Sequence, residues 1–178
     1  MSERATATTY VVLGMLALGA RTGYDIKRTV ERSTRFFWAA SYGQIYPELR
    51  YLETAGLIAG RSAPTGGRKR MEYELTEAGR HELAKWLAAP PQMPELRDES
   101  LLKLFFADEL PLSQALEQLR MRRLGHEQFL SILREIDALP GEDPPFVDLV
   151  LRYGIAYAEF NIAWCEQHEA ELAQAAAA

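Results

Sequence analysis

The most constraining feature of the chain is the stretch from residue 41 to residue 70, SYGQIYPELRYLETAGLIAGRSAPTGGRKR. Ser41 can cap an amphipathic helix, and Gly56 predicts where that helix ends. An apolar strand, a basic glycine-rich turn and a second strand follow, with Tyr73 and Leu75 alternating with glutamates in the second strand. Because Thr76 can cap another helix, the predicted local order is helix, strand, basic turn, strand, helix.

This order is that of a winged helix-turn-helix, in which one helix enters a DNA groove and the wing contacts the backbone beside it. Helical spacing places Ile45, Leu49 and Leu52 on the buried side of the helix that follows Ser41. The other faces are then available to a partner. The candidate DNA contacts on this helix are Ser41, Tyr42, Gln44, Tyr46, Pro47 and Arg50.

The candidate side chains of this helix suit different contacts. Gln44 can bind adenine through two hydrogen bonds, Tyr46 can stack on a sugar or touch a thymine methyl group, and Arg50 can reach guanine or phosphate. Pro47 removes one helical hydrogen bond and should tilt or kink the beginning of the helix. We interpret Pro47 as setting how the neighbouring side chains are presented, with a packing role alone as the alternative.

The turn between the two strands is predicted to be the tip of a wing, formed by Pro64, Gly66 and Gly67. Gly67, Arg68, Lys69 and Arg70 are the candidate contacts to DNA phosphates or to the minor groove. A merely solvated turn is the alternative. A nucleotide-binding loop is disfavoured, because the sequence has neither the P-loop pattern nor the Rossmann spacing.

The segments GQIYPELRYLETAGLI and GGRKRMEYELTEAG resemble the PadR family of bacterial transcriptional regulators, and the similarity extends upstream through VVLGMLALGARTGYDIKR. The first half of the chain carries these motifs, whereas the second half resembles the family only as a helical extension of the right length. The resemblance implies an N-terminal winged helix, a C-terminal helical dimerisation region and a repressor. Such a repressor is usually relieved by a small, often aromatic compound.

The two halves of the chain carry opposite net charges, as expected if only the first half binds DNA. The chain has 178 residues, 48% of them hydrophobic, and a net charge of −5. Residues 1–89 contain 13 Lys and Arg against 9 Asp and Glu, a net charge of +4, and residues 90–178 have a net charge of −9. Because DNA affinity depends on local neutralisation of phosphates, the basic half suffices for binding.

The cysteine content, and the lack of any indicated secretion signal or membrane span, favour a cytoplasmic protein. A single cysteine, Cys165, excludes an internal disulfide, and no Cys/His cluster has zinc spacing. No secretion signal or membrane span is indicated. We therefore expect neither a cofactor nor a metal.

The proline-rich run PPQMP predicts the domain boundary. We expect a mainly α fold with three parts: a winged-helix DNA-binding domain at residues 1–89, a linker at 90–97, and a helical dimerisation and effector domain at 98–178. In the first part, Thr22 should cap the second helix with Asp25 as its partner. In the last part, Asp98 should cap ESLLKLFFADEL, Ser113 should cap the following long helix, and Asp143 with Pro144 should begin the final helix.

The final helix carries two apolar stripes, more than one neighbouring helix requires. This width predicts a homodimer, which would present two reading heads to a palindromic operator. For the effector, we expect a planar apolar ligand between the heads and the C-terminal helices. Its candidate contacts are Phe36, Phe37, Trp38, Tyr153 and Tyr157.

Two other classes of function fit the sequence less well than a DNA-binding regulator. A winged helix that binds protein would not need the basic wing. An enzyme is disfavoured because His81, His126 and His168 lack metal-ligand spacing, and Cys165 is typical of a packed thiol rather than a nucleophile. The sequence therefore favours a DNA-binding regulator without catalytic residues.

Overall fold

A computed structural model describes residues 5–65, 68–93, 97–140 and 144–177, apart from the side chains of residues 63–65, 68–69 and 176–177. The chain forms two compact units, the first ending at Gln92 and the second beginning at Met93. The more detailed domain limits given above stay a prediction. The elements are α1 (Ala7–Ala17), α2 (Gly23–Arg32), a 3₁₀ turn (Thr34–Phe36), α3 (Tyr42–Thr54), β1 (Ile58–Thr65), β2 (Arg68–Leu75), α4 (Glu77–Ala88), α5 (Glu99–Phe105), a 3₁₀ turn (Ala107–Glu109), α6 (Leu112–Asp137) and α7 (Pro145–Ala177).

The first unit has the predicted winged helix-turn-helix order, and local signals set its element ends. The Thr22 hydroxyl accepts a hydrogen bond from the Asp25 backbone N–H, and the Asp25 carboxylate accepts one from the Thr22 backbone N–H, both at 3.1 Å. The Thr76 hydroxyl caps α4 by accepting the Gly79 N–H at 3.1 Å. Gly56 follows α3 with a φ of +70°, in the left-handed region that favours glycine.

The core of the first unit lies where α1, α2, α3 and the base of the wing meet. The predicted stripe of α3 is confirmed, since Ile45, Leu49 and Leu52 are completely buried. Each such side chain contributes roughly 1.5–3 kcal/mol through burial. This packing turns the opposite face of α3 outward. The other buried apolar residues of this core are Tyr10, Val12, Leu13, Met15, Leu16, Ile26, Val30, Ala40, Ile58 and Tyr73.

The wing is a two-stranded antiparallel sheet, in a register that runs from Ile58 opposite Leu75 to Thr65 opposite Arg68. The strands extend further towards the tip than predicted, because Pro64 lies in β1 opposite Lys69 rather than in the turn. Proline is tolerated there because each strand of a two-stranded sheet has one edge without a ladder partner.

The second unit is built on the antiparallel pair of α6 and α7, with α5 against α6. Asp98 caps α5 as predicted, accepting hydrogen bonds from the backbone N–H groups of Ser100 and Leu101 at 3.0 and 3.1 Å. The predicted cap at Ser113 is wrong. Pro111 occupies that position instead, and its fixed backbone angle suits the residue before a helix.

Two other helix limits of the second unit differ from the prediction. The segment ESLLKLFFADEL is not one helix, because α5 ends at Phe105 and a separate 3₁₀ turn follows. The last helix, α7, begins at Pro145, and Asp143 lies outside the described residues.

Candidate nucleic-acid interface

The outward face of α3 carries the predicted DNA-contacting side chains. Tyr42, Gln44, Tyr46 and Arg50 are exposed, and Pro47 is half-buried. The helix continues through Pro47, whose missing N–H removes one hydrogen bond from its first turns. This face is therefore accessible to a DNA groove.

The beginning of α3 is held by the side chain of Gln44. Its Oε1 accepts hydrogen bonds from the backbone N–H of Ser41 at 2.9 Å and from the Ser41 hydroxyl at 3.1 Å. Bidentate recognition of adenine would use the same oxygen to accept the N6 amino group. Capping and adenine recognition therefore compete for Gln44, and its contact with a base stays a prediction.

The aromatic side chains of α3 form one continuous surface with α2. The rings of Tyr42 and Tyr46 stack with centroids 6.0 Å apart, and Lys27 Nζ lies 5.9 Å from the Tyr42 centroid. Tyr46 also packs over the beginning of α2, where a Cβ on Gly23 would come within 2.8 Å of its ring. Gly23 therefore permits the close approach that holds the Tyr46 ring in place.

Further along α3, Arg50 lies beside an open groove. Pro47, Arg50, Tyr51 and Thr54 line it, and the Thr54 hydroxyl donates to the Arg50 carbonyl oxygen at 2.9 Å. The Arg50 side chain is exposed, and its contact with a base or a phosphate stays a prediction.

Two arginines of the wing, Arg61 and Arg70, are paired with carboxylates. The Arg61 guanidinium lies 2.8 Å from Glu74 and 3.7 Å from Glu72, both on the opposite strand. The Arg70 guanidinium lies 3.3 Å from the Asp25 carboxylate in α2. Of the other predicted wing contacts, Gly67 lies outside the described residues, as do the side chains of Arg68 and Lys69.

Asp25 is a carboxylate stabilised in its charged form. Partial burial acts to raise its pKa, but the Thr22 hydrogen bonds and the Arg70 charge outweigh burial and lower the pKa of Asp25 below its ordinary value. Its negative charge at the beginning of α2 also interacts favourably with the helix dipole. Asp25 is therefore ionised at neutral pH beside the predicted DNA face.

The predicted effector contacts belong to both units. Phe36 ends a 3₁₀ turn in the first unit and is half-buried, whereas Phe37 and Trp38 are exposed. In the second unit, Tyr153 and Tyr157 are exposed and stack on each other with centroids 6.4 Å apart. These aromatic groups are accessible to a planar ligand, and binding stays a prediction.

A buried polar cluster in the second unit escaped the sequence analysis. The Arg122 side chain is only 4% exposed, and its guanidinium donates to Asp98 and to Asn161, each at 2.7 Å, and to the Ser100 hydroxyl. Partial burial acts to raise the pKa of Asp98. The hydrogen bonds that Asp98 accepts from the Ser100 hydroxyl, from Arg122 and from the Leu101 N–H, together with the Arg122 charge, outweigh burial and lower this pKa to about 2. The sequence predicted only the cap role of Asp98, because Arg122 and Asn161 are distant from it in sequence.

Within the described residues, no group of three or more His, Cys, Asp or Glu side chains is arranged to hold a metal ion. Among the helices of those residues, none combines the length and apolar content that a membrane span requires.

Comparison with known proteins identifies the family to which this chain belongs. Residues 12–85 match the transcriptional regulator PadR-like family, and residues 96–173 match the family described as virulence activator alpha C-term. The chain is also 30% identical over 168 residues to the negative transcriptional regulator PadR of Bacillus subtilis, covering 88% of this chain and 92% of that protein. The chain belongs to the PadR-like family of transcriptional regulators. This PadR-like chain is therefore a DNA-binding regulator, and the family is not a class of enzymes.

Other relatives agree with this assignment. The probable transcriptional regulator Rv1176c of Mycobacterium tuberculosis is 30% identical over 179 residues, covering 90% of this chain and 95% of that protein. The crystal structure of B. subtilis PadR in complex with operator DNA has a TM-score of 0.84 at 30% identity and covers 94% of this chain and 99% of that one. The crystal structure of the same protein in complex with p-coumaric acid has a TM-score of 0.76 at 30% identity, with the same coverage.

Proposed function

We propose that this PadR-like chain is a homodimeric repressor, active in the cytoplasm, that binds a palindromic operator and releases it when a small aromatic ligand binds. The observation that carries the proposal is the outward face of α3, where exposed tyrosines and Arg50 stand opposite a completely buried apolar stripe. The operator complex of the B. subtilis relative supports the same use of this fold.

In this proposal, α3 enters the major groove. Tyr42, Gln44, Tyr46 and Arg50 face the bases and phosphates, with Ser41 and Pro47 setting the course of the helix. The wing tip, Gly67 with Arg68 and Lys69, contacts the adjacent backbone. The basic charge of the first half supplies the phosphate neutralisation that such binding needs.

Selection of bound duplexes from a random DNA pool tests operator recognition. We expect the purified protein to enrich an inverted repeat, with half-sites about one helical turn apart. The variant Arg50→Ala with Arg68→Ala should lose this enrichment, whereas Arg80→Ala, an exposed arginine of α4, serves as the matched control. No enrichment by the wild-type protein at low salt would contradict the proposal.

The exposed side of α7 supports the homodimer. Phe146, Tyr153 and Phe160 recur every seven residues and are 79%, 72% and 65% exposed. A seven-residue apolar repeat is typical of a helix that packs against a partner helix along one seam. Because such a stripe is costly to leave in water, a second copy of the chain is the partner we infer.

The proposed effector is a small aromatic compound, in line with the p-coumaric acid complex of the B. subtilis relative. Titration of the operator complex with p-coumaric acid, followed by fluorescence anisotropy, would measure release. We expect Trp38→Ala and Tyr157→Ala to weaken release, and Phe106→Ala, which alters an exposed aromatic residue outside the predicted set, to leave it unchanged. An unchanged response in both test variants would contradict these ligand contacts.

The names of the matched proteins differ on whether such a regulator represses or activates transcription. The name of the B. subtilis relative supports a repressor, whereas the family matched by residues 96–173 is named for a virulence activator. A reporter gene behind the selected operator distinguishes the two. We expect its expression to fall when this protein is supplied, and a rise would favour an activator.

A further inference from the structure

Among the described residues, three contacts attach the wing to the beginning of α2 and the residue before its cap. The Arg21 guanidinium lies 3.2 Å from the Glu74 carboxylate. The backbone N–H of Tyr73 donates to the Arg21 carbonyl oxygen at 2.7 Å, and the Arg70 guanidinium lies 3.3 Å from the Asp25 carboxylate. The Tyr73 contact uses only backbone atoms, so it holds β2 at one point. The Arg70 contact is three residues nearer to the tip and restricts the direction in which the hairpin leaves the core.

Strand geometry makes the contact of Arg70 important for the tip. Each residue of a strand adds about 3.3 Å, so the beginning of β2 lies roughly 17 Å from Tyr73 but only about 7 Å from Arg70. A small rotation of the hairpin about its base therefore moves the tip by several times the displacement at Tyr73. An ion pair at residue 70 limits that rotation.

Asp25 is suited to serve as the fixed end of this contact. Besides Arg70, its Oδ2 accepts hydrogen bonds from the backbone N–H and the hydroxyl of Thr22, at 3.1 and 2.8 Å. The carboxylate is only 23% exposed, and it belongs to the cap of a helix that packs into the core. The wing is therefore linked to a rigid part of the first unit.

We propose that Arg70 is a positioning residue rather than a phosphate contact, and that its ion pair with Asp25 sets the direction of the wing relative to α2 and α3. The inference rests on operator binding by this chain. The predicted wing contacts then have two different roles. Arg68 and Lys69 bind the DNA backbone, and Arg70 holds the wing in the direction that brings them to it. If Arg70 turned to a phosphate instead, it would leave the Asp25 carboxylate uncompensated beside the DNA.

The effect of Asp25→Asn has opposite signs under the two roles of Arg70. Asparagine keeps an oxygen that can accept the Thr22 N–H, but it removes the charge that holds Arg70. If Arg70 positions the wing, this variant weakens operator binding. If Arg70 contacts phosphate, the variant frees its guanidinium, removes a nearby negative charge and tightens binding.

Operator affinity measured across a series of salt concentrations supplies a second criterion. Loss of one direct phosphate contact reduces the slope of log affinity against log salt by about 0.9. We expect that reduction for Arg68→Ala. Arg70→Ala should weaken binding about tenfold with an unchanged slope, because the freed wing must be ordered on DNA before Arg68 and Lys69 make the same phosphate contacts. Arg70→Ala with Asp25→Asn should be no weaker than Arg70→Ala alone.

Arg61→Ala is the matched control, because it removes an arginine whose carboxylate partners both lie within the wing. It should leave the wing attached to α2. A lower slope for Arg70→Ala, or tighter binding by Asp25→Asn, would overturn the proposal.

Amide hydrogen exchange of the DNA-free chain separates this inference from the proposed function. We expect Arg70→Ala and Asp25→Asn to increase exchange in the peptide covering residues 61–72 severalfold, and Arg61→Ala to increase it less. If the wild-type protein binds no operator but shows this pattern, operator recognition fails and the attachment of the wing stands. Exchange equal to wild type in both test variants would show that the ion pair does not hold the wing.

Discussion

The two units of this PadR-like chain differ in how completely each encloses its own apolar residues. The first unit surrounds a continuous core from α1, α2, α3 and the wing, and its exposed aromatic side chains include those of the proposed DNA face. In the second unit, a small cluster of Leu116, Leu119 and Cys165 is buried, while aromatic residues along α7 remain exposed. The first unit therefore encloses most of its apolar residues by its own contacts, whereas the second leaves exposed the apolar face of α7, which is the proposed dimer interface.

The units also differ in the polar groups that they bury. Among the described residues of the first unit, the buried polar side chains are those of Thr9 and Thr22, which bond to nearby helix caps and carboxylates. The second unit buries Arg122 and Asn161, which join α6, α7 and the cap of α5. A buried ion pair is costly when broken, so this cluster favours one alignment of the three helices.

The largest expected effect comes from opening a cavity in the closed core. Leu49→Ala should lower the free energy of unfolding by roughly 2–5 kcal/mol, because a completely buried leucine leaves a void that its neighbours fill only partly. Leu119→Ala, in the smaller cluster, should cost less than Leu49→Ala. Urea unfolding followed by circular dichroism measures both, and equal losses would contradict the difference between the cores.

A slightly smaller effect is expected from the buried arginine of the second unit. Arg122→Ala leaves Asp98 and Asn161 without their guanidinium partner and should cost about 3 kcal/mol in the same unfolding experiment. The variant Arg122→Met with Asp98→Asn fills the space and retains a helix cap, so it should lie closer to wild type. If both variants lose the same stability, the lost guanidinium hydrogen bonds explain the effect, rather than lost packing or an unpaired Asp98 charge.

The exposed face of α7 can be tested by adding charge. Tyr153→Asp or Phe160→Asp should weaken dimerisation by roughly thirtyfold or more, because an interface anchor would become a charged group. Sedimentation velocity at micromolar concentration measures the change. Ala78→Asp, an exposed position of α4, is the control and should remain dimeric. A wild-type monomer would refute the interface itself.

Acid should destabilise the chain through Asp98. Its folded pKa of about 2 lies below the ordinary value of 3.8, so its contribution is fully present above about pH 4 and is lost as the pH falls towards 2. The loss should be about 1–2 kcal/mol. Unfolding measured between pH 5 and about pH 2 should show a shallower decline for Asp98→Asn, and parallel curves would contradict this role.

The smallest effect separates the two roles of Gln44. Gln44→Ala should cost about 0.5–1 kcal/mol, because Ser41 loses the acceptor of its backbone N–H. Gln44→Glu keeps that acceptor and the stability, but it lacks the donor that adenine requires and should weaken operator binding. Thermal unfolding and anisotropy titrations measure the pair, and full operator affinity for Gln44→Glu would assign Gln44 to capping alone.

Local sequence signals predicted much of the fold. The spacing of Ile45, Leu49 and Leu52 identified the buried side of α3, and Thr22, Thr76 and Asp98 are the caps that their residue types predict. The Ser113 cap failed because the nearby Pro111 competes as a helix start, and residue type alone does not rank two adjacent candidates.

The candidate site was predicted less completely. The exposed members of the α3 face followed from helical spacing, because a buried stripe determines which side chains point away from it. The engagement of Gln44 in the cap and the packing of Tyr46 over Gly23 required coordinates.

The sequence by itself determined the order of the elements, the division of charge between the halves and the face of α3 that points outward. These properties depend on neighbours within a few residues or on composition. The tertiary structure alone decided that Arg70 meets Asp25 and that Arg122 joins Asp98 to Asn161. Such contacts link residues 24 to 45 positions apart. They arise only when separate helices and strands pack together, and no local pattern specifies that packing.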